Sequence, residues 1–406
     1  MSAPRGPALP ALPAIEGGEP LLATRLPFFR PCHGEAEIAA VVETLRSGWL
    51  TIGPKVQEFR GAFLAEVGLA HGWPVNSCTS GLFLALKALG IGAGDEVITS
   101  PNTFTASVNV IHHAGATPVL ADIELETYGL DPAAAAAAIT PATKAILAVH
   151  YGGQLCRIEE LAALARAHGL LLIEDAAHAF GGLAGGRPPG AFGDMAAFSF
   201  YVTKNLSMGE GGFVSCRSEE QERELALLSL HGMDQDAWER YGAQGRWHYD
   251  VSRFGYKCNL TDIQAALGLV QLGREAELRA ARTQAVARYR AALASEAALI
   301  LPGERLGNRH SWHLFAPRLA DGALRVDRDR FLAALAAEGV TPSLHFIPIQ
   351  KHSVHRAYFG DLTAQLPASE TFYRGCFSLP LFPGITAEEI DAAAAAVSKL
   401  LRYYAR

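Results

Sequence analysis

Residues 143–182 read TKAILAVHYGGQLCRIEELAALARAHGLLLIEDAAHAFGG, and their periodicity changes twice. An apolar run at 144–149 is followed by helical spacing of Ile, Leu and Ala over 158–168, and then by a second apolar run at 170–174. Strand, helix, strand in that order predicts a parallel pair joined by a crossover helix. The alternation continues on both sides. Further strands are expected at 73–76, 96–100, 118–122, 195–201 and 212–216, with helices at 81–89, 105–113 and 132–139. The run of six alanines at 133–138 follows Asp131-Pro132 and is simply a helix with a start signal. The expected fold class is therefore α/β, a mostly parallel seven-stranded sheet between helices.

Beyond this unit, a long helical pattern over 261–293 leads into a smaller α/β domain. Strands are expected there near 312–317 and 341–346, before a closing Ala-rich helix. The domain reading is a flexible tail at 1–24, a large domain at 25–270 and a small one at 271–406. The opening residues have one basic side chain, Arg5, and prolines that interrupt any apolar core, which makes a poor signal peptide.

Composition narrows the function classes. The 406 residues are half hydrophobic, and 35 Lys and Arg stand against 41 acidic residues for a net charge of -6. No basic run is long enough to follow a phosphate backbone, so nucleic acid is not an expected partner. No apolar stretch reaches the roughly 18–20 residues of a membrane span. Six cysteines scattered singly, with no C-x-x-C, suit free thiols in a reducing cytoplasm. The string GIGAGDE at 90–96 precedes a strand rather than following one and reads as a turn, and neither an ATP-binding loop nor H-E-x-x-H is present. The pairs His310/His313 and His352/His355 have helix-face spacing but lack evident thiolate or carboxylate partners, so no metal is expected.

Parallel sheets bind ligands beyond the carboxyl ends of their strands. Four such ends carry chemistry. Asp175 follows LLLIE; Cys78, Thr79 and Ser80 open a helix after a strand, where free N–H groups suit a phosphate. Phe104 lies past a third strand, able to lie flat against a heterocycle. Lys204 ends FSFYVTK, a strand in which Ser199 is the polar half of the alternation. A phosphate site, an aromatic face, a carboxylate and an amine together are what a phosphorylated pyridine aldehyde requires.

The segments SGWLTIGPKVQEF, NSCTSGLFLALKALGIGAGDEVITSPNTFTA, IEDAAHAFGG, AFSFYVTKN, GEGGFV, GYKCNLTDIQAALGLVQL and SLHFIPIQ resemble, in order and over about residues 28–400, the DegT/DnrJ/EryC1/StrS family of pyridoxal-phosphate-dependent sugar aminotransferases, of fold type I. The resemblance implies Lys204 as the Schiff-base lysine, Asp175 as partner of the pyridine nitrogen and Phe104 as the stacking ring. Cys78, Thr79 and Ser199 fall where relatives hold the cofactor phosphate, and His178 where many carry Gln beside the phenolic oxygen. The segment 255–262 resembles one that crosses to the other subunit, which implies a homodimer with Asn259 and Lys257 reaching the neighbour's site. Its Cys258 departs from the usual aromatic. His345 falls in a segment near the substrate.

The reaction so implied is a ping-pong transfer from an amino acid, L-glutamate in relatives, to a keto sugar on a nucleoside diphosphate, 4-keto favoured over 3-keto. A free keto-cyclitol acceptor is an alternative, as is a non-catalytic regulatory protein on the same fold. Family members that act as dehydratases carry His in place of the lysine, and Lys204 argues against that reading.

Overall fold

The computed structural model describes residues 12–234 and 248–406. Seven strands form the main sheet: β1 (His71–Val75), β2 (Glu96–Thr99), β3 (Thr117–Leu120), β4 (Thr143–Val149), β5 (Leu171–Asp175), β6 (Met195–Ser199) and β7 (Gly212–Cys216). Their order is β1-β7-β6-β5-β4-β2-β3, and β7 alone runs antiparallel to both its neighbours. The seven strands expected for this sheet thus all form, with ends shifted by at most two residues. In the central register, Val149 lies opposite Asp175 and Asp175 opposite Ala197. Helices cover both faces, so the strands are buried on both sides and read as continuous apolar runs.

One face packs Phe198, Phe200 and Phe213 around Phe63, whose ring centroid lies 4.5–5.3 Å from theirs. The other buries Leu82, Ile111, Leu147, Ile173 and Val214 beneath the helices Cys78–Ala88 and Thr105–Ala114. Burying such a side chain contributes roughly 1.5–3 kcal/mol, and the two layers together fix the sheet. A separate core gathers Tyr289, Phe315, Phe331, Phe377 and Leu400.

Three expectations are corrected. The helical pattern over 261–293 is two helices, Asp262–Gly273 and Glu275–Leu293, because Gly273 ends the first and Arg274 leaves helical geometry at ψ 4°. No ladder strand forms over 312–317 or 341–346. Trp312 is left-handed at φ 50°, Pro317 has no N–H to donate, and pairing is limited to the isolated bridges Phe315 with Leu379 and Ser343 with Ser378. Of the tail expected over 1–24, residues 1–11 lie outside the described residues and the rest is tied down. The Glu338 carboxylate, fully buried, accepts hydrogen bonds from Ala14 N (2.9 Å) and Leu21 N (3.1 Å) and pairs with the Lys399 ammonium at 2.9 Å.

Among the described residues no helix is long and apolar enough to cross a membrane.

Candidate active site

A cleft of about 490 Å³ opens at the carboxyl end of the sheet. Its volume is that of an ordinary small-molecule site. Ser77, Cys78, Thr79, Phe104, Asp175, His178, Ser199, Lys204 and His345 all line it, so the strand-end residues singled out in the sequence converge. Asn259 and Lys257 are not part of its lining. The Asn259 amide instead donates to the carbonyl of Leu260 at 3.0 Å, and its backbone lies beside Val75.

Alternation along β5 separates the two carboxylates of IED. Glu174 points to the far face, where it meets His150 Nε2 at 2.9 Å and accepts hydrogen bonds from the N–H groups of Gly190, Phe192 and Gly193. Asp175 points to the cleft. Its Oδ2 accepts from Ser107 Oγ (2.6 Å) and its Oδ1 from Ala177 N (3.1 Å). The carboxylate is buried and its hydrogen-bond donors are neutral, which leaves its charge for a cation arriving in the cleft.

At the mouth of helix Cys78–Ala88, Ser77 Oγ accepts from Ser80 N at 3.1 Å. The N–H groups of Cys78 and Thr79 have no acceptor among the described residues, and the Thr79 side chain is exposed. The Cys78 thiol turns inward, 3.5 Å from the Ala197 carbonyl, and burial followed by the Asp175 charge pushes its pKa well up. It is a neutral packing group whose backbone faces the cleft. Gly212 permits this turn, because a Cβ there would lie 2.5 Å from the Ser77 carbonyl carbon and 2.7 Å from Cys78 N. Phe104 is 60% exposed, with its ring centroid 6.2 Å from that of Phe346, and so offers a bare aromatic face.

The Lys204 side chain makes no hydrogen bond or ion pair among the described residues. Desolvation pushes its pKa down from 10.5 to about 8, against the pull of Cys78 and Asp175. His178 is buried, and its Nδ1 accepts from Gly152 N at 3.2 Å. The imidazole proton therefore sits on Nε2. Burial, then the charge of Lys204, holds His178 well below the usual histidine range and hence neutral. His345 bonds Ser378 Oγ through Nδ1 at 2.9 Å, and burial with Lys204 lowers it to about 4.

Sequence reasoning missed three residues here. Ser107 is hidden in the buried face of a helix. Phe346 and His313 come from beyond residue 300, and no local pattern ties them to β5. The spacing of His310 and His313 suggested a shared helix face, but residues 310–314 are not helical. His310 stacks on Trp312 at 3.7 Å while His313 faces His178 at 4.3 Å. No group of three or more His, Cys, Asp and Glu among the described residues could hold a metal ion.

These features define a fold type I site for a phosphorylated pyridine cofactor, and they fit pyridoxal phosphate: an anion-binding helix mouth, an open aromatic ring, a buried carboxylate and an unpaired amine. The chain belongs to the DegT/DnrJ/EryC1/StrS aminotransferase family, whose model matches residues 31–398. It is an enzyme of the pyridoxal-phosphate-dependent aminotransferase class, with sugars as the family's substrates. The spore coat polysaccharide biosynthesis protein SpsC of Bacillus subtilis is 45% identical over 93% of this chain and 97% of its own. Spr1654 of Streptococcus pneumoniae, solved in its PMP form, superposes with a TM-score of 0.87 at 33% identity, over 93% of this chain and 99% of that one. DesI, solved in the presence of its TDP-sugar product, gives 0.85 at 29% identity over 95% of each chain.

Proposed function

We propose that this protein moves an amino group from L-glutamate to a keto sugar carried on a nucleoside diphosphate, with a 4-keto acceptor favoured over a 3-keto one. The observation that carries the reading is the convergence of Lys204, Asp175, Phe104 and the Cys78–Ala88 helix mouth on one cleft. The TDP-sugar found with DesI supports a nucleotide-linked acceptor. The preference for a 4-keto sugar draws on the likeness of YKCNLTD and VHYGGQLC to that branch of the family.

Pyridoxal phosphate, when bound, supplies a ring that withdraws electrons from the carbon losing its proton. The N–H groups of Cys78 and Thr79, with the Thr79 and Ser199 hydroxyls, would hold its phosphate. Asp175 would keep the pyridine nitrogen protonated, and Phe104 would cover the ring. His178, with its proton on Nε2, would donate to the phenolic oxygen. The Lys204 amine would carry the proton that leaves the donor's α-carbon to the carbon on the other side of the transferred nitrogen, a task that suits an amine whose pKa lies near 8. His345 borders the acceptor side. The proposed homodimer completes each site with Asn259 and Lys257 of the second copy.

The test is direct. Purified holoenzyme should absorb visible light, bleach with L-glutamate and regain colour with a 4-keto nucleotide sugar. Bleaching that no keto sugar nucleotide reverses, while a free keto-cyclitol does, overturns the acceptor assignment. A protein that stays colourless with added pyridoxal phosphate overturns the cofactor roles.

A further inference from the structure

A carboxylate taken into a cleft needs donors, and the donor substrate brings one on the carbon that reacts. Among the described residues lining this cleft there is no arginine; the Lys204 amine is committed to the chemistry, and His150, its pKa raised to about 10 despite burial, is already paired with the Glu174 carboxylate at 2.9 Å. His313 also lines the cleft, its ring centroid 4.3 Å from that of His178.

The His313 ring is buried to 6% exposure, makes no side-chain hydrogen bond among the described residues, and leaves Nδ1 without a partner. A buried polar nitrogen left unpaired is costly, which points to a partner that arrives with the ligand. The backbone around it is held by both cores. Leu314 N donates to the Gly152 carbonyl (3.0 Å) and Ser311 N to that of Gly153 (2.8 Å). Ser311 Oγ lies 3.1 Å from both the Gly153 and His178 carbonyls. Gly153 permits the approach, since a Cβ there would lie 2.6 Å from Ser311 Oγ and 2.8 Å from His313 N.

Behind this turn lies Arg282, fully buried on helix Glu275–Leu293. Its Nη1 faces the carbonyls of Trp312 (3.4 Å), His313 (3.5 Å) and Leu381 (3.2 Å), and its Nε has no partner. No carboxylate pairs with it among the described residues, so its charge acts on what faces His313. Desolvation comes first, and His178, Lys204 and Arg282 add to it, in holding His313 neutral. The same positive surroundings favour an anion.

We infer that His313 is a binding contact for the α-carboxylate of the amino-acid donor, the neutral imidazole donating a hydrogen bond from a turn positioned by Arg282 and Gly153; this rests on the aminotransferase reading above. The variants are His313→Asn and His313→Gln, and the reagents are L-glutamate and 4-aminobutyrate, which is L-glutamate without its α-carboxylate. In His313→Asn holoenzyme the L-glutamate concentration that half-bleaches the visible band should rise about 10-fold or more, while that of 4-aminobutyrate changes less than about twofold. Calorimetry with glutarate, a dicarboxylate with no amine, should show a matching loss of affinity, and His313→Gln should recover part of it. Equal losses for the two amines, or an unchanged glutarate affinity, would overturn the assignment. Wild-type holoenzyme that binds cofactor yet bleaches with no amino acid would instead remove the aminotransferase reading, an outcome read without any variant.

Discussion

Ser107 Oγ donates to Asp175 Oδ2 over 2.6 Å, and the same hydroxyl lies 2.7 Å from Thr103 Oγ1. The carboxylate at the end of β5 is thus aimed by the helix that Phe104 caps, so the carboxylate and the ring proposed to hold the cofactor share one support. Replacing Ser107 by Ala should lower affinity for pyridoxal phosphate about 10-fold, the worth of one hydrogen bond to a charged group. Fluorescence titration of the cofactor-free protein measures it, and an unchanged affinity would show that Ala177 N alone orients Asp175.

As the proposed Schiff-base residue, Lys204 would attack the cofactor's aldehyde only through its neutral amine. With its pKa lowered from 10.5 to about 8 by desolvation, the neutral fraction grows with pH and saturates above about 8. The rate at which cofactor-free protein gains visible absorbance should rise through pH 7 and level off above that point. A rate still climbing tenfold per unit toward pH 10 would mean that the amine is fully hydrated. Lys204→Ala should abolish turnover altogether.

Two glycines make a matched pair for testing close approach. Gly212→Ala drives a methyl group into the Ser77–Cys78 peptide and should destabilise the protein by about 1–3 kcal/mol while weakening cofactor binding. Gly61, inside helix Pro54–Val67, has open space around it, and Gly61→Ala should stabilise by about 0.5–1 kcal/mol. Thermal melts with and without cofactor compare the two. Similar small shifts for both would show that the turn has room to move.

The proposed second copy can be tested by complementation. Mixed, refolded Lys204→Ala and Asn259→Ala chains should recover about a quarter of wild-type activity, because half the dimers are mixed and each holds one intact site. Neither variant alone should be active. If the mixture is as inactive as its components, Asn259 acts within its own chain.

How far the sequence could be read depends on where the information sits. Asp175, Lys204 and Thr79 were legible because each lies at or just past the carboxyl end of a buried apolar run, and parallel sheets gather such ends. The boundaries of β4 and β5 were off by one residue, since Thr143 and Asp175 take ladder positions that their side chains do not advertise. Ser107 and His313 were not legible. One is a small polar residue on a helix face like many others; the other reaches the cleft only because Trp312 turns left-handed and Arg282, thirty-one residues before it, holds the carbonyls. The break at Gly273 was visible as a glycine, but helical spacing continued on both sides and masked it.

Asn205, directly after Lys204, donates through Nδ2 to the Ser311 carbonyl at 2.8 Å and approaches that of Phe180 at 3.5 Å. The loop carrying Lys204 is thereby fastened to the segment that leads into the second core. Heating the holoenzyme should then bleach its visible band and melt its helices over the same few degrees, with colour lost as a marker of the whole molecule's unfolding rather than as an earlier, separate event.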